Sequence, residues 1–322
     1  LDAIREELVT SVAMRLGSQG NLFAETPEHA RQLRVAGPVL TDVELAKIRD
    51  LDLPGLKSVT LSTLFASQCD ERALAQAMSD LCDEASAAIN DGYNIIILSD
   101  RGVDRDHAAI PSLLAVAGVH HHLIREGTRT QVGLVVESGE PREVAHLGLL
   151  IGYGAGAVNP YLAYATLRDL TYRGTFSGFS DPAEIEKNYI KAANKGLLKI
   201  ISKMGISTVH SYHGAQIFEA VGLSQEVVDR YFTWTASRIG GIGLQSLQRD
   251  VLARHRFAFP AVPMAARQDL PSGGDYQWRR DGEYHMWNPD TIAKLQYASR
   301  MNDPSAYSAF SALANEYERR FC

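Results

Sequence analysis

The 322-residue chain holds only three cysteines, Cys69, Cys82 and Cys322, too few and too far apart for a disulfide framework or a CxxC metal site. A reducing compartment, the cytoplasm, is the expectation. No apolar run reaches the ~18 residues needed to cross a bilayer. Basic charge is not in excess either: 32 Lys and Arg stand against 38 Asp and Glu, scattered along the chain, which excludes a nucleic-acid surface. Position 1 is Leu rather than Met, and the opening LDAIREELVTSVA reads as an amphipathic helix with no basic n-region or cleavage site. The last residues, SAYSAFSALANEYERRFC, stop just after a helical pattern, so both ends read as internal positions of a longer polypeptide. Neither a repeat nor a low-complexity tract is evident.

What is present is ordinary globular material, 45% hydrophobic and 22% charged, enough for one large core or two smaller ones. Helix and loop punctuated by Pro27, Pro38 and Pro54 fill the first fifty residues. An α/β rhythm follows: a buried strand over 58–62, a helix over 71–90 stopped by Gly92, and a continuous apolar strand over 94–99. Pro111 opens a helix to about residue 125, 131–137 is the next strand, Pro141 begins a helix to Gly152, and 157–159 is a brief strand. Further strands are expected near 209 and 217. This alternation predicts an α/β fold, a parallel sheet with flanking helices, (β/α) barrel-like. Beyond about residue 265 the rhythm breaks in PSGGDYQWRRDGEYHMWNP, which divides the chain into 1–265 and 266–322.

Polar residues gather where the expected strands end: Asp100, Arg101, Glu137, Asn159 and His210, with Gln216 in the turn beyond. That edge is where ligands bind in α/β folds. His210, Tyr212, His213 and Gln216 suit acid–base work or a hydrogen-bonded loop or interface; the lack of a paired carboxylate or nucleophile favours the second. Gly240, Gly241 and Gly243 are the candidates for a phosphate cradle at a helix N-terminus, although a glycine-rich turn is commoner than an anion site. Gly152, Gly154 and Gly156 lie between helix and strand, the reverse of a dinucleotide fingerprint, and read as a helix stop and tight turn. His120, His121 and His122 point about 100° apart on a helix and cannot converge on one ion; pairing with Asp104, Asp106 or His107 stays open. Lys195, Lys199 and Lys203 form a solvated basic face, with a phosphate or domain-contact stripe as the sharper alternative. No metal site is assigned.

Nine stretches in one order resemble the glutamate synthase large subunit. They are IREELVTS (4–11), GYNIIILSDR (92–101), AIPSLLA (109–115), HHHLIR (120–125), VGLVVESGEPREV (132–144), GYGAGAVNPYLA (152–163), YIKAANKGLLKIISKMGIST (189–208), GAQIFEAVGL (214–223) and TASRIGGIGL (235–244). HMWNPDTIAKLQ (285–296) extends the match. The resemblance implies the central domain of that enzyme, with 266–322 as linker and start of the FMN-binding barrel. In the family an amidotransferase domain releases ammonia from glutamine. The ammonia passes through an internal tunnel to a barrel carrying FMN and a 3Fe–4S cluster, where 2-oxoglutarate becomes glutamate. Electrons come from NAD(P)H through a partner subunit or from ferredoxin. The amidotransferase's nucleophilic cysteine has no counterpart at Leu1, and the three cysteines do not fit the closely spaced cluster ligands, so no catalytic residue is carried over. Trp234 stands where the family pattern has a small residue, and His210 and His213 stand where relatives have Gln and Cys. The role expected is a connecting domain that couples the two active sites and lines part of the ammonia path. The alternative is an autonomous flavin- or phosphate-binding barrel oxidoreductase.

Overall fold

Runs of isoleucine, leucine and valine become strands, and alanine- and leucine-rich amphipathic segments become the helices between them. The computed structural model describes residues 4–21, 23–176, 178, 180–260, 277–280 and 282–321, without the side chains of 317–321. The chain divides into two units, Leu1–Phe259 and Pro260–Cys322. The expected boundary near residue 265 lies outside the described residues.

The first unit opens with α1 (Glu6–Val9) and an antiparallel pair, β1 (Met14–Leu16) with β2 (Leu33–Val35). A capping box starts α2 (Asp42–Arg49): the Thr41 hydroxyl accepts from the Glu44 N–H, and the Glu44 carboxylate accepts from the Thr41 N–H. Then come β3 (Asp52–Leu53), β4 (Leu56–Ser62), β5 (Leu64–Ala66), α3 (Ala73–Asn90), β6 (Ile95–Ser99), β7 (His107–Ala109) and α4 (Ser112–Arg125). They are followed by β8 (Gly133–Glu137), α5 (Val144–Gly152), β9 (Ala157–Asn159), α6 (Tyr161–Tyr172), α7 (Pro182–Lys203) and the single turn α8 (Val209–Tyr212). The unit closes with β10 (Glu219–Leu223), α9 (Gln225–Tyr231), β11 (Ala236–Ile242) and α10 (Leu244–Ala258). In the second unit the described residues form a helical hairpin, α11 (Pro289–Met301) and α12 (Pro304–Phe321). Asn302 makes the turn at φ 50, a left-handed conformation asparagine tolerates, and Trp287 stacks on Phe310.

The main sheet runs β3-β4-β6-β8-β9, all parallel but for the hairpin strand β3. Each new strand adds beside the last, without the reversal of order that marks a doubly wound sheet. Alternate side chains sort to two faces. Ile96, Leu98, Leu134, Val136 and Val158 pack under α3, α4, α5 and α7. Ile95, Ile97, Val135 and Ala157 pack on Leu16, Leu40, Leu45 and Ile48. The crossover helices α3, α4 and α5 thus share one face, as in a (β/α) barrel. The segment before α2 bridges β9 through Val39 and Val158, and α2 contributes Leu45 and Ile48 to the other face. That helix fills the place a barrel interior would occupy, and the described sheet is open. Both faces are apolar, which is why NIIILS shows no alternation.

Several sequence expectations require correction. The amphipathic helix expected at the start shrinks to the four residues of α1, after which Met14–Leu16 is a strand. No strand forms at 208–210: Thr208 caps α8 instead, its hydroxyl accepting from the Ser211 N–H. Pro111 precedes its helix rather than occupying the first turn. The glycine-rich loop is mostly strand, since Gly240 and Gly241 belong to β11.

Candidate functional site

Strand register decides which polar groups meet. Ser62 pairs with Ser99, Ser99 with Glu137 and Glu137 with Asn159, so the C-terminal ends of four parallel strands line up. Glu137 is 1% exposed. Its Oε1 accepts from Arg101 Nε at 2.6 Å, and its Oε2 accepts from Arg49 Nη2 at 2.6 Å and from the Ser99 hydroxyl. Burial alone would raise the Glu137 carboxyl; the Ser99 hydroxyl and the Arg101 and Arg49 guanidinium groups together hold it below its ordinary range.

The pairing continues outward. The Arg101 guanidinium lies 4.1 Å from the centroid of the Tyr161 ring and approaches Asp42. Asp42 accepts from Asn159 Nδ2 and from Arg168, and Arg168 bonds Glu186 at 2.7 Å. Asn159, fully buried, also donates to the Leu40 carbonyl and so ties β9 to the start of α2. Charges of opposite sign alternate along Arg49, Glu137, Arg101, Asp42, Arg168 and Glu186.

Asp100 turns away from this chain toward the other face. Its carboxylate accepts from the Ser138 hydroxyl and the Gly139 N–H, with Tyr161 also hydrogen-bonded to it. Burial pushes it above the usual carboxylate range despite those bonds, and its negative charge helps raise the Tyr161 phenol further. Both groups line a cavity of about 730 Å³ walled by Leu149, Leu150 and Phe259.

Asp100, Arg101, Glu137 and Asn159 therefore meet at one edge, while His210 and Gln216 do not join them. His210 stands on α8 beside Arg129, near the N-terminal ends of β8 and β9. Gln216 is exposed, at φ 54, and lines a 260 Å³ pocket with Tyr153, Phe218 and Trp234. Trp234 itself is 82% exposed at φ 66, a conformation costly for any residue with a Cβ. The histidine triplet diverges as geometry requires. His120 accepts from Arg129 Nε, His121 packs near Tyr153, and His122 bonds the Ser86 hydroxyl, although none is fully exposed. Asp104 pairs with His107 instead. Among the described residues no cluster of three or more His, Cys, Asp or Glu has the arrangement to hold a metal. Lys195, Lys199 and Lys203 are exposed along α7.

Gly240 and Gly241 lie within β11 rather than in a loop at a helix N-terminus. A Cβ on Gly241 would lie 2.2 Å from the Gly222 carbonyl oxygen, so that glycine answers to the close pairing of β10 and β11. Gly243 alone caps a helix, α10. Arg49, Asp42, Tyr161 and Arg168 were missed from sequence because each lies far along the chain from its partner. The TDVE capping box at Thr41–Glu44 was the one available sign that an ordered helix presents Asp42 and Arg49.

These features define a class: an open, half-barrel α/β domain in which the strand-end charges Arg101 and Glu137 are paired with each other. A family model described as the glutamate synthase central domain matches residues 1–224, and the chain belongs to that family. It is 43% identical over 316 residues to the glutamate synthase [NADPH] large chain of Bacillus subtilis, covering 98% of this chain and 20% of that protein. It is 39% identical over 324 residues to the ferredoxin-dependent glutamate synthase of Pyropia yezoensis, covering 97% and 21%. The chain thus spans about a fifth of the length of these curated relatives. Among solved structures, a flavocytochrome b2 variant with benzoylformate overlaps it at a TM-score of 0.32 and 12% identity, over 45% of this chain and 39% of that one. Among the described residues, no helix is long and apolar enough to cross a membrane.

Proposed function

We propose that this chain is the connecting domain of a glutamate synthase, an oxidoreductase that forms glutamate from glutamine-derived ammonia and 2-oxoglutarate. The observation that carries this reading is Glu137. At the edge where a (β/α) enzyme places its acids and bases, both its oxygens are engaged by Arg49, Arg101 and Ser99. A carboxylate held in this way braces a scaffold and is a poor proton shuttle.

On this reading residues 1–265 are the central domain and 266–322 lead into the FMN barrel. FMN and a 3Fe–4S cluster sit elsewhere in the same polypeptide, and electrons arrive from NAD(P)H through a partner subunit or from ferredoxin. The domain sets the distance between the amidotransferase and synthase sites, lines part of the ammonia path, and works in the cytoplasm. Support comes from the β10/β11 ribbon, where Val221, Ile239 and Ile242 are 66%, 61% and 46% exposed beside Trp234. A two-stranded parallel ribbon with apolar residues in water is suited to covering by another domain of a polypeptide some five times as long.

The test is turnover. Supplied with glutamine or ammonia, 2-oxoglutarate, FMN and a reductant, the isolated chain should form no glutamate, whereas a polypeptide carrying the neighbouring domains should. Glutamate formation by the chain alone would sink the proposal.

A further inference from the structure

At the edge of the sheet opposite the ion-pair chain lies a pocket of about 490 Å³. Its wall includes four imidazoles (His29, His120, His210 and His213), the Arg129 guanidinium, the Thr130 hydroxyl and two glutamine amides, and among the described residues it has no carboxylate. Arg129 starts a 3₁₀ turn just before β8. Its Nη1 donates to the Val132 carbonyl at 2.6 Å and its Nη2 to the Gly154 carbonyl at 2.9 Å, while Nε donates to His120 Nδ1 at 2.9 Å. Among the described residues no carboxylate forms an ion pair with it.

His120 and His213 do not supply the missing negative charge, nor do they add to the positive one. His120 accepts at Nδ1, so in its neutral form the proton is on Nε2. His213 has Nε2 at 3.1 Å from the Ala155 carbonyl, which requires it to donate there. Burial, followed by the Arg129 charge, drives both rings far below the ordinary histidine range, and burial brings the guanidinium itself down to about 10. The arrangement is also sterically specified. Gly154 has φ +108, and a Cβ there would stand 2.2 Å from the His120 ring. A Cβ on Gly20, at φ +68, would stand 2.3 Å from the His29 ring. Two left-handed backbone positions without side chains thus leave room for two of the imidazoles.

We propose that this pocket binds a small oxyanion, phosphate or a carboxylate, centred on Arg129. A guanidinium offers five N–H groups, of which the bonds above use three. Two remain for a ligand, one on Nη1 and one on Nη2, and carboxylate and phosphate oxygens are the usual acceptors of guanidinium N–H groups. The Thr130 hydroxyl and a His210 ring nitrogen supply further donors from the wall. The bound anion gives a part-buried cation the counter-charge that no described residue provides. This site is independent of the connecting-domain role and survives if that role is wrong.

The experiment is calorimetric titration of the full chain with inorganic phosphate, and separately with malonate, at an ionic strength held constant with chloride. One saturable site is expected for at least one of the two anions. Saturation by only one identifies the preferred oxyanion; saturation by both, with mutual competition, gives the shared site. Arg129→Lys keeps the charge but loses the guanidinium N–H groups, and should weaken binding about tenfold. Thr130→Val and His210→Ala, at exposed wall positions, should each weaken it about threefold and decide the matter if Arg129→Lys does not fold. Heats indistinguishable from chloride for both anions would overturn the proposal. So would saturable binding that Thr130→Val and His210→Ala both leave unchanged, which would reduce Arg129 to a clamp on two carbonyls.

Discussion

Arg49, at the last turn of α2, reaches Glu137, at the last residue of β8, across 88 positions of sequence, with Nη2 2.6 Å from Oε2. One bond therefore fastens the helix filling the inner face to the strand it fills against. Glu137 meets Arg101 with its other oxygen, so the contact is a branch point holding three segments.

Removing that branch point should be felt throughout the first unit. Glu137→Ala leaves two guanidinium groups and a buried serine without their acceptor, and should lower unfolding stability by about 3 kcal/mol, since Arg49 and Arg101 keep some solvent contact. Arg49→Met leaves Glu137 with Arg101 and Ser99 and should cost about half as much. Urea denaturation of the two variants beside the parent chain checks both the size and the order.

The same carboxylate gives a pH signature. Its folded value lies below its unfolded one, near 4.3. The stability it contributes is therefore fully present above that pH and fades as pH falls through the folded value. Glu137→Gln should be less stable than the parent at pH 7, and the gap should narrow steadily below about pH 4.3. A gap that widens toward acid would mean the carboxyl is protonated in the native state.

Two histidines should stay silent. His120 is depressed to about 2 and His213 to about 3, chiefly by burial and then by Arg129. Their imidazole resonances should show no inflection between about pH 8 and 5, although an unperturbed ring titrates near 6.5. Because unfolding frees both rings to take protons, stability should drop as pH falls below about 6.5. Histidine-selective NMR with stepwise pH follows the first effect and thermal denaturation the second.

Gly241→Ala would press a methyl group against the Gly222 carbonyl. The ribbon has little core beneath it, so the damage should stay local. Amide exchange across 219–223 and 236–242 should speed up by about tenfold or more, with β6 and β8 unchanged. Uniform acceleration would show that the ribbon is coupled to the main sheet.

How much of this was legible in the sequence depends on how local the cause is. The β6 and β8 strands could be read because isoleucine and valine runs leave no polar face. Asp100, Arg101, Glu137 and Asn159 could be read as one group because parallel register brings strand ends together. Their partners could not: Arg49, Asp42 and Arg168 arrive by tertiary packing, and nothing adjacent in sequence marks them. Thr208–His210 was misread as a strand because threonine and valine favour strands, whereas Thr208 here spends its hydroxyl on a helix cap. The Gly240–Gly243 tract suggested a loop because its reason, the approach of another backbone at Gly222, lies 19 residues earlier.

The central claim is that this domain positions chemistry performed elsewhere. The most direct measurement is titration of the purified chain with FMN, followed by quenching of flavin fluorescence. The account predicts no saturable binding up to high micromolar FMN. Tight stoichiometric binding would contradict it, and would place the flavin site within these 322 residues.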